Sequence, residues 1–255
     1  DMTVGKPMKM LLNFTIPVFL GNVFQQLYSM ADAVIVGKFV GTKGLAAVGA
    51  TGTITFLIIG FLMGVTTGVT GLTSQKFGAG RMDEMRKTVG NAAILSAVIA
   101  VVMTAVSMLG MHRLLVFMHT PEDIFDGAYG YIMIICAGIF TQVLYNLVSS
   151  ILRALGNSKT PLYFLILAAG LNIVLDLVFI IFFHWGAPGA AWATVISQGV
   201  SGVLCLIYMW KAVPELKMKK EDWCFNRDIA VKQISVGIPM GLQYSITAIG
   251  GMMVQ

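Results

Sequence analysis

The sequence predicts an all-α membrane protein with several spans. Three observations support this fold class: 57% of the residues are hydrophobic, only 11% are charged, and the mean hydropathy is +0.82. A soluble domain usually has about a quarter charged residues. Between the short charged clusters lie apolar runs of roughly 20 residues or more, which as helices can cross a hydrocarbon core of about 30 Å. A soluble fold of this length could not bury so much apolar surface.

Each apolar run between polar loops predicts one helical span. Glycine and proline inside such runs are normal for membrane helices, and the small residues of the second run allow close contact between helices. The first run opens near Leu11 and is too long for a signal peptide, so we interpret it as a retained span. The six predicted spans are 12–36, 45–74, 89–111, 127–151, 160–183 and 189–211, and a seventh begins near Ile234.

Basic residues divide the predicted loops into two groups. Fourteen Lys and Arg lie at the N-terminus and in the loops 75–88, 152–160 and 211–233, whereas three lie on the other side. Because Lys and Arg favour the cytoplasmic side, we expect a multi-pass protein of the plasma (inner) membrane with a cytoplasmic N-terminus. The net charge of +5 then reflects topology in the bilayer, and no nucleic-acid partner is expected.

The longest polar segment predicts the domain organisation. It separates a six-helix lobe, 1–211, from the start of a second lobe, 234–255, and we interpret 212–233 as a cytoplasmic linker. Two similar segments support this division, because FTIPVFLG near the start resembles SVGIPMGLQ after the linker. Six spans before the restart would place both copies in the same orientation, which is the parallel repeat of many transporters. The chain is therefore expected to be part of a longer protein.

Two acidic residues, Asp32 and Asp176, fall inside the predicted spans, and no Lys or Arg does. A charge at the centre of a membrane helix costs about 2.5–3.5 kcal/mol on insertion scales. Two unpaired charges would cost roughly 5–7 kcal/mol, which is comparable to the net stability of a whole domain. Both carboxyl groups are therefore expected to face a water-accessible cavity and to exchange between charged and neutral forms.

Further polar side chains recur at helical spacing on four spans, so that each set lies on one face of its helix. Such faces could converge on one cavity, where oxygen-rich groups and carboxylates suit sodium or a proton. The alternative is that isolated polar residues hydrogen-bond neighbouring helices, and it applies to Gln142, Asn146, Ser197 and Gln198. The four sets are Asn22, Gln25, Ser29 and Asp32; Gln142, Asn146, Ser149 and Arg153; Asn172 and Asp176; and Thr194, Ser197, Gln198 and Ser201.

Pro17 lies in the same predicted helix as Asp32. Proline removes a backbone hydrogen bond and can kink a helix. The kink could be a static bend, or it could be a hinge whose angle depends on the state of Asp32. The cysteines suggest no chemistry, because Cys136, Cys205 and Cys224 form no CxxC pair and are expected only to pack.

Four segments in order resemble the multidrug and toxic compound extrusion (MATE) family, prokaryotic branch. They are IPVFLGNVFQQLYSMADAVIVGKFVG, FGAGRMDEMRKTVGNA, ILRALGNSKTPLYFLILAAGLNIVLDLVFI and GAPGAAWATVISQGVSG. The resemblance implies two six-helix lobes related by a parallel pseudo-repeat. It also implies export of organic cations, by alternating access, against a sodium or proton gradient. No cofactor beyond the coupling ion, and a monomeric full-length protein, are expected.

The resemblance also implies a coupling-ion site, proton or Na⁺, in the N-terminal lobe. The matching positions are Asp32 on the first helix, Asn172 and Asp176 on the fifth, and Thr194 on the sixth. Pro17 matches the family's hinge proline. Gln25 and Tyr28 are expected to line the cavity, together with the polar positions Asn22, Gln142 and Asn146.

Two other functions remain open at this stage. A flippase for lipid-linked oligosaccharides would be expected to line its cavity with cations that bind pyrophosphate, and the predicted spans contain none. An intramembrane enzyme could use Asp32 and Asp176 as a catalytic pair, but the sequence has neither a GxGD nor an HExxH motif. A transporter is therefore predicted, and not an enzyme.

Overall fold

A computed structural model shows the fold of the chain. It describes residues 7–254, apart from the side chains of Pro7, Lys220 and residues 248–254. Residues 1–6 of the predicted first lobe, with Lys6, and the terminal Gln255 lie outside the described residues.

Eight α-helices account for nearly all of the described chain. The helices extend beyond the predicted spans, from the apolar runs into the flanking polar segments. A π-helical turn, Val178–Phe182, directly extends the sixth helix. The helices are α1 Pro7–Phe39, α2 Thr42–Gly78, α3 Met82–Phe117, α4 Glu122–Ala137, α5 Ile139–Ala154, α6 Lys159–Leu177, α7 Gly186–Ala212 and α8 Arg227–Val254.

Five helices, α1, α2, α3, α6 with its π-helical turn, and α7, are long and apolar enough to cross a membrane. The pair α4 and α5 makes a sixth span if it is counted as one broken helix. The predicted all-α membrane fold is thereby confirmed. Within the described residues α8 does not reach the same apolar character, so the seventh span stays a prediction.

The fourth span is broken, whereas the sequence predicted one continuous helix over 127–151. α4 and α5 meet at Gly138 with a bend of 46°. A Cβ atom at Gly138 would lie 2.2 Å from Cγ2 of Val195 on α7. The break therefore lies where α7 approaches so closely that only glycine fits.

The lobe is built around α5, which packs against α2, α3 and α7, while α1 packs mainly on α6. Two apolar clusters fill the interior, one around Leu62 and Ile132 and the other around Val69 and Leu152. Cys136 and Cys205 are buried within these clusters as expected, but Cys224 is exposed.

The segment after α7 crosses from α7 to α3 and then leads into α8. Leu216 in this segment is buried, and Asp222 Oδ2 lies 3.5 Å from Nε of Arg86 on α3. The backbone N–H of Asn226 donates to Oδ1 of Asn91, also on α3, at 2.9 Å. α8 begins at Arg227, before the predicted start of the second lobe near Ile234, because these contacts order the end of the linker.

α8 packs against α2 along a glycine seam. A Cβ atom at Gly68 would lie 2.5 Å from the Cα of Gly237, and one at Gly64 would lie 2.6 Å from the Cα of Gly241. The side chain of Gln233 donates to the carbonyl oxygens of Val69 (3.0 Å) and Thr88 (2.8 Å). Small residues at this spacing allow two helix backbones to touch.

Candidate functional site

Asp32 on α1 and Asp176 on α6 are brought together by the packing of these two helices. Their carboxyl groups lie close enough to interact with each other electrostatically. Asp176 has no exposed surface, and Asp32 is half-buried. Two neighbouring carboxylates repel each other, so a proton or a cation between them stabilises the pair. The two acids thus lie together, but neither is among the residues that line the cavities described below, so their access to water stays a prediction.

Asn172 and Thr194 complete the group. Nδ2 of Asn172 is 3.3 Å from Oγ1 of Thr194, and the phenol of Tyr28 donates to the same Oγ1 at 3.1 Å. With the amide of Asn172 turned over, its nitrogen donates to Oδ2 of Asp176 at 2.9 Å and its oxygen accepts from the Thr194 N–H at 3.2 Å. In both orientations Asn172 joins α6 to α7. The turned orientation also satisfies Asp176.

The oxygen atoms of this group suit a small hard cation. Oδ1 of Asp32 and Oδ1 of Asp176 are both buried, and within the described chain neither accepts a hydrogen bond. Carboxylate, amide and hydroxyl oxygens are the ligands that hard cations prefer. The same carboxylates can instead hold a proton. The residues present therefore fit either coupling ion.

Sequence reasoning missed Tyr131. This α4 residue is buried and lies close enough to Asp32, Asp176 and Tyr28 to interact with them electrostatically. Tyr131 lies in the apolar stretch YGYIMII and belongs to no polar stripe. The sequence around it therefore gives no signal for the site. Tyr131 thus lies on the α4 side of the acid pair.

Most of the predicted cavity residues lie along α1 and α5. Pro17, Asn22, Gln25 and Asn146 line one cavity of about 80 Å³, and Gln142 lines a separate one of about 20 Å³ beside Thr194. Tyr28 lines neither cavity and instead donates to Thr194.

The polar residues for which interhelical hydrogen bonding was the alternative show no such bond in the described chain. Ser197 donates to the carbonyl of Thr194 on its own helix. Nδ2 of Asn146 and Oε1 of Gln198 are buried and have no partner among the described residues.

Arg153 was counted in the loop 152–160 and also in the polar set of the fourth span. It lies in the last turn of α5 and lines the cavity beside Pro17. Its Nη2 donates to Oγ of Ser150 at 3.1 Å, and no acidic side chain in the described chain pairs with it. α5 continues past residue 151, where the predicted span ends, so Arg153 is helical and its guanidinium reaches the cavity wall.

Comparisons with known proteins support the fold and identify the family. The chain is 32% identical, over 99% of its length, to the probable multidrug resistance protein YpnP of Bacillus subtilis, of which it covers 56%. Crystal structures of MATE in a bent and in a straight conformation superpose with TM-scores of 0.86 and 0.85, both at 28% identity over 94% of this chain and 54% of theirs. The chain thus spans about half the length of the proteins it matches. Residues 17–178 match the sequence profile of the MatE family, and the chain belongs to this family.

Proposed function

We propose that the full protein is a multidrug efflux transporter that exchanges an entering sodium ion or proton for a small organic cation. The observation that carries this proposal is the pairing of Asp32 and Asp176 beside Asn172 and Thr194. Four polar side chains on three helices form a compact oxygen site that a structural role in packing does not require. The naming of a relative as a probable multidrug resistance protein supports the same class of substrate.

The negative charge of the two carboxylates first attracts a cationic substrate into the cavity along α1. When a proton or sodium ion binds between the two carboxylates, it halves their negative charge and weakens this attraction. α1 then bends at Pro17, which lines the cavity with Asn22 and Gln25, and the cavity narrows and expels the substrate. The carboxylates finally release the coupling ion on the opposite side.

The concentration gradient of the coupling ion drives a one-for-one exchange of cations, which moves no net charge; the membrane potential adds free energy only when more positive charge enters than leaves, for example two coupling ions for one substrate cation. One inward elementary charge yields about 2.3 kcal/mol per 100 mV. About 1.4 kcal/mol corresponds to a tenfold concentration ratio. Each net inward charge therefore sustains a ratio of substrate concentrations across the membrane that approaches a hundredfold. We further propose a cytoplasmic N-terminus in the plasma membrane, a monomeric full-length protein and no cofactor other than the coupling ion.

Flux in vesicles tests the proposal directly. The full-length protein is reconstituted, and ethidium or norfloxacin export is followed under an imposed sodium gradient with the pH gradient collapsed, and then under the reverse condition. Export in one arm supports antiport and identifies the coupling ion. Export in neither arm, from protein that is correctly folded, contradicts the proposal.

A flippase for lipid-linked oligosaccharides is the second candidate, and Arg153 is the observation that favours it. Its guanidinium lines the α1 cavity, and guanidinium groups bind phosphate well. A single cation is less than a pyrophosphate-binding surface requires, so we rank this function below drug export. Transfer of a lipid-linked pyrophosphate sugar across the vesicle membrane, without ethidium export, would reverse the ranking. A peptidase assay on the same preparation tests the intramembrane enzyme, which nothing in the site favours.

A further inference from the structure

A cavity larger than the two described above lies between α3, α5 and α7, and none of its lining residues belongs to the acid site. Its volume is about 280 Å³, near the lower end of the roughly 300–1,000 Å³ of small-molecule sites. The linker after α7 forms its roof with Leu216, Met218 and Trp223. The cavity therefore exists only because the linker crosses from α7 to α3.

The cavity is apolar and opens sideways. Its walls are aliphatic or aromatic apart from Ser96, and three large side chains at its edge are strongly exposed: Phe140 (55%), Trp210 (67%) and Trp223 (52%). In the described chain α8 packs on α2 and also contacts α3, which forms one wall of the cavity, but it contacts neither α5 nor α7. The exposed edge residues of α5 and α7, Phe140 and Trp210, thus lie away from α8, on a side that lipid would contact.

Two observations indicate what the cavity holds. Trp210 and Trp223 flank the end of the α7 span, which is the depth at which tryptophans lie at a membrane interface. The hydroxyl of Ser96 lines the cavity, is buried (1% exposed) and has no hydrogen-bond partner in the described chain. A long apolar group that enters from the bilayer would cover the walls and the edge aromatics.

Two exposed basic residues neighbour lining residues in the sequence. Lys211 follows the lining residue Trp210, and Lys217 lies between Leu216 and Met218; both lysines are exposed and neither forms an ion pair with a described residue. Glu215 is also exposed and adjacent to the lining residue Leu216. A lysine ammonium is a suitable partner for the phosphate that every phospholipid carries.

We propose that this cavity binds an acyl chain of a phospholipid from the leaflet next to the linker, with the phosphate near Lys211 and Lys217. The bound chain completes the contact between the linker and helices α3, α5 and α7. Lipid binding thereby holds the linker in the position from which α8 reaches α2. This inference does not depend on the proposed transport function.

Photo-crosslinking tests the proposal on the full-length protein. The protein is placed in lipid nanodiscs that contain a phospholipid with a photoreactive diazirine on its acyl chain, and the adducts are mapped by mass spectrometry. Adducts are expected on the segments 89–97, 140–151 and 206–218. They should disappear in Ala93→Phe, which fills the cavity, and persist in Ala105→Phe, which places the same side chain on the lipid-facing side of α3 outside the cavity.

Two results would overturn the proposal. Equal labelling of these segments in the wild type and in Ala93→Phe would show only the ordinary lipid that surrounds any membrane protein. Displacement of the adducts by ethidium would show that the cavity is a drug site. If Ala93→Phe does not fold, Ala97→Phe fills the same cavity from the next turn of α3. Lys211→Gln with Lys217→Gln should lower the labelling several-fold, and an unchanged yield would contradict the placement of the phosphate.

Discussion

Asp32 and Asp176 lie far apart in the sequence, yet their carboxyl groups are neighbours that interact electrostatically between α1 and α6. Asn172 and Thr194 provide the neighbouring amide and hydroxyl groups. Burying two acids in one site is unfavourable unless a proton or cation is shared between them. The geometry therefore links occupancy by a small cation to the packing of α1 on α6.

The hydroxyl of Thr194 is expected to hold Tyr28 and Asn172 in position in the site. Thr194→Val keeps the shape of the side chain and removes the atom that Tyr28 and Asn172 contact. A hydrogen bond between neutral groups contributes about 0.5–1.5 kcal/mol. The half-saturating concentration of the coupling ion should therefore rise between about twofold and tenfold. Thr194→Ser keeps the oxygen and should transport almost normally. Equal affinities in the two variants would show that the hydroxyl has no role.

A substitution at Pro17 distinguishes a hinge in α1 from a static bend. Pro17→Ala restores the backbone hydrogen bond of α1, so the protein should unfold at an equal or higher temperature. If α1 must bend there, ethidium export falls in spite of this gain. Pro188→Ala, in the first turn of α7, is the control because no helical hydrogen bond is missing there. Normal export by Pro17→Ala would assign Pro17 a structural role only.

Gly138 is expected to be intolerant of any side chain. In Gly138→Ala the new Cβ would overlap the Val195 side chain, and overpacking of this kind costs about 1–3 kcal/mol. Thermal unfolding of the purified protein measures the loss. Gly110→Ala on α3 meets no atom within 4 Å, and it should be neutral or slightly stabilising because alanine favours helix. A destabilisation of the same size in both variants would contradict the packing argument.

Two glycines of α2 provide a matched pair of substitutions that tests the contact between α2 and α8. Gly68→Ala places a Cβ against the backbone of Gly237, which cannot move aside, whereas Gly71→Ala meets nothing within 4 Å. Gly68→Ala should weaken the contact by about 1–3 kcal/mol and separate α8 from α2. Spin-label distances between the two helices measure the separation. Unchanged distances in Gly68→Ala would show that the seam does not hold α8.

Much of the architecture follows from the sequence because hydrophobic length and charge are local properties. The six apolar runs became membrane-length helices, with the fourth counted as a broken pair. Of the polar stripe that contains Asp32, Gln25 and Asp32 are partly buried, whereas Asn22 and Ser29 are exposed. The pair Asn172 and Asp176 lies on one face of α6, since one helical turn separates the two residues.

The remaining features depend on tertiary contacts that no local pattern records. The break at Gly138 results from the approach of Val195 on another helix. Tyr131 lies near the acids because α4 packs there, and its own segment is simply apolar. Arg153 was assigned to a loop because the continuation of α5 is set by packing. The path of the linker across α3 depends on contacts such as that between Asn91 and Asn226.

Ethidium export by the full-length protein with the acid pair altered tests the central claim most directly. Asp32→Asn and Asp176→Asn retain the size of each side chain and remove its ability to exchange a cation. Asp126→Asn, at an exposed site on α4, is the matched control. We predict that each site variant loses export in vesicles with an imposed ion gradient, while the control exports like the wild type. Undiminished export by both site variants would contradict the account.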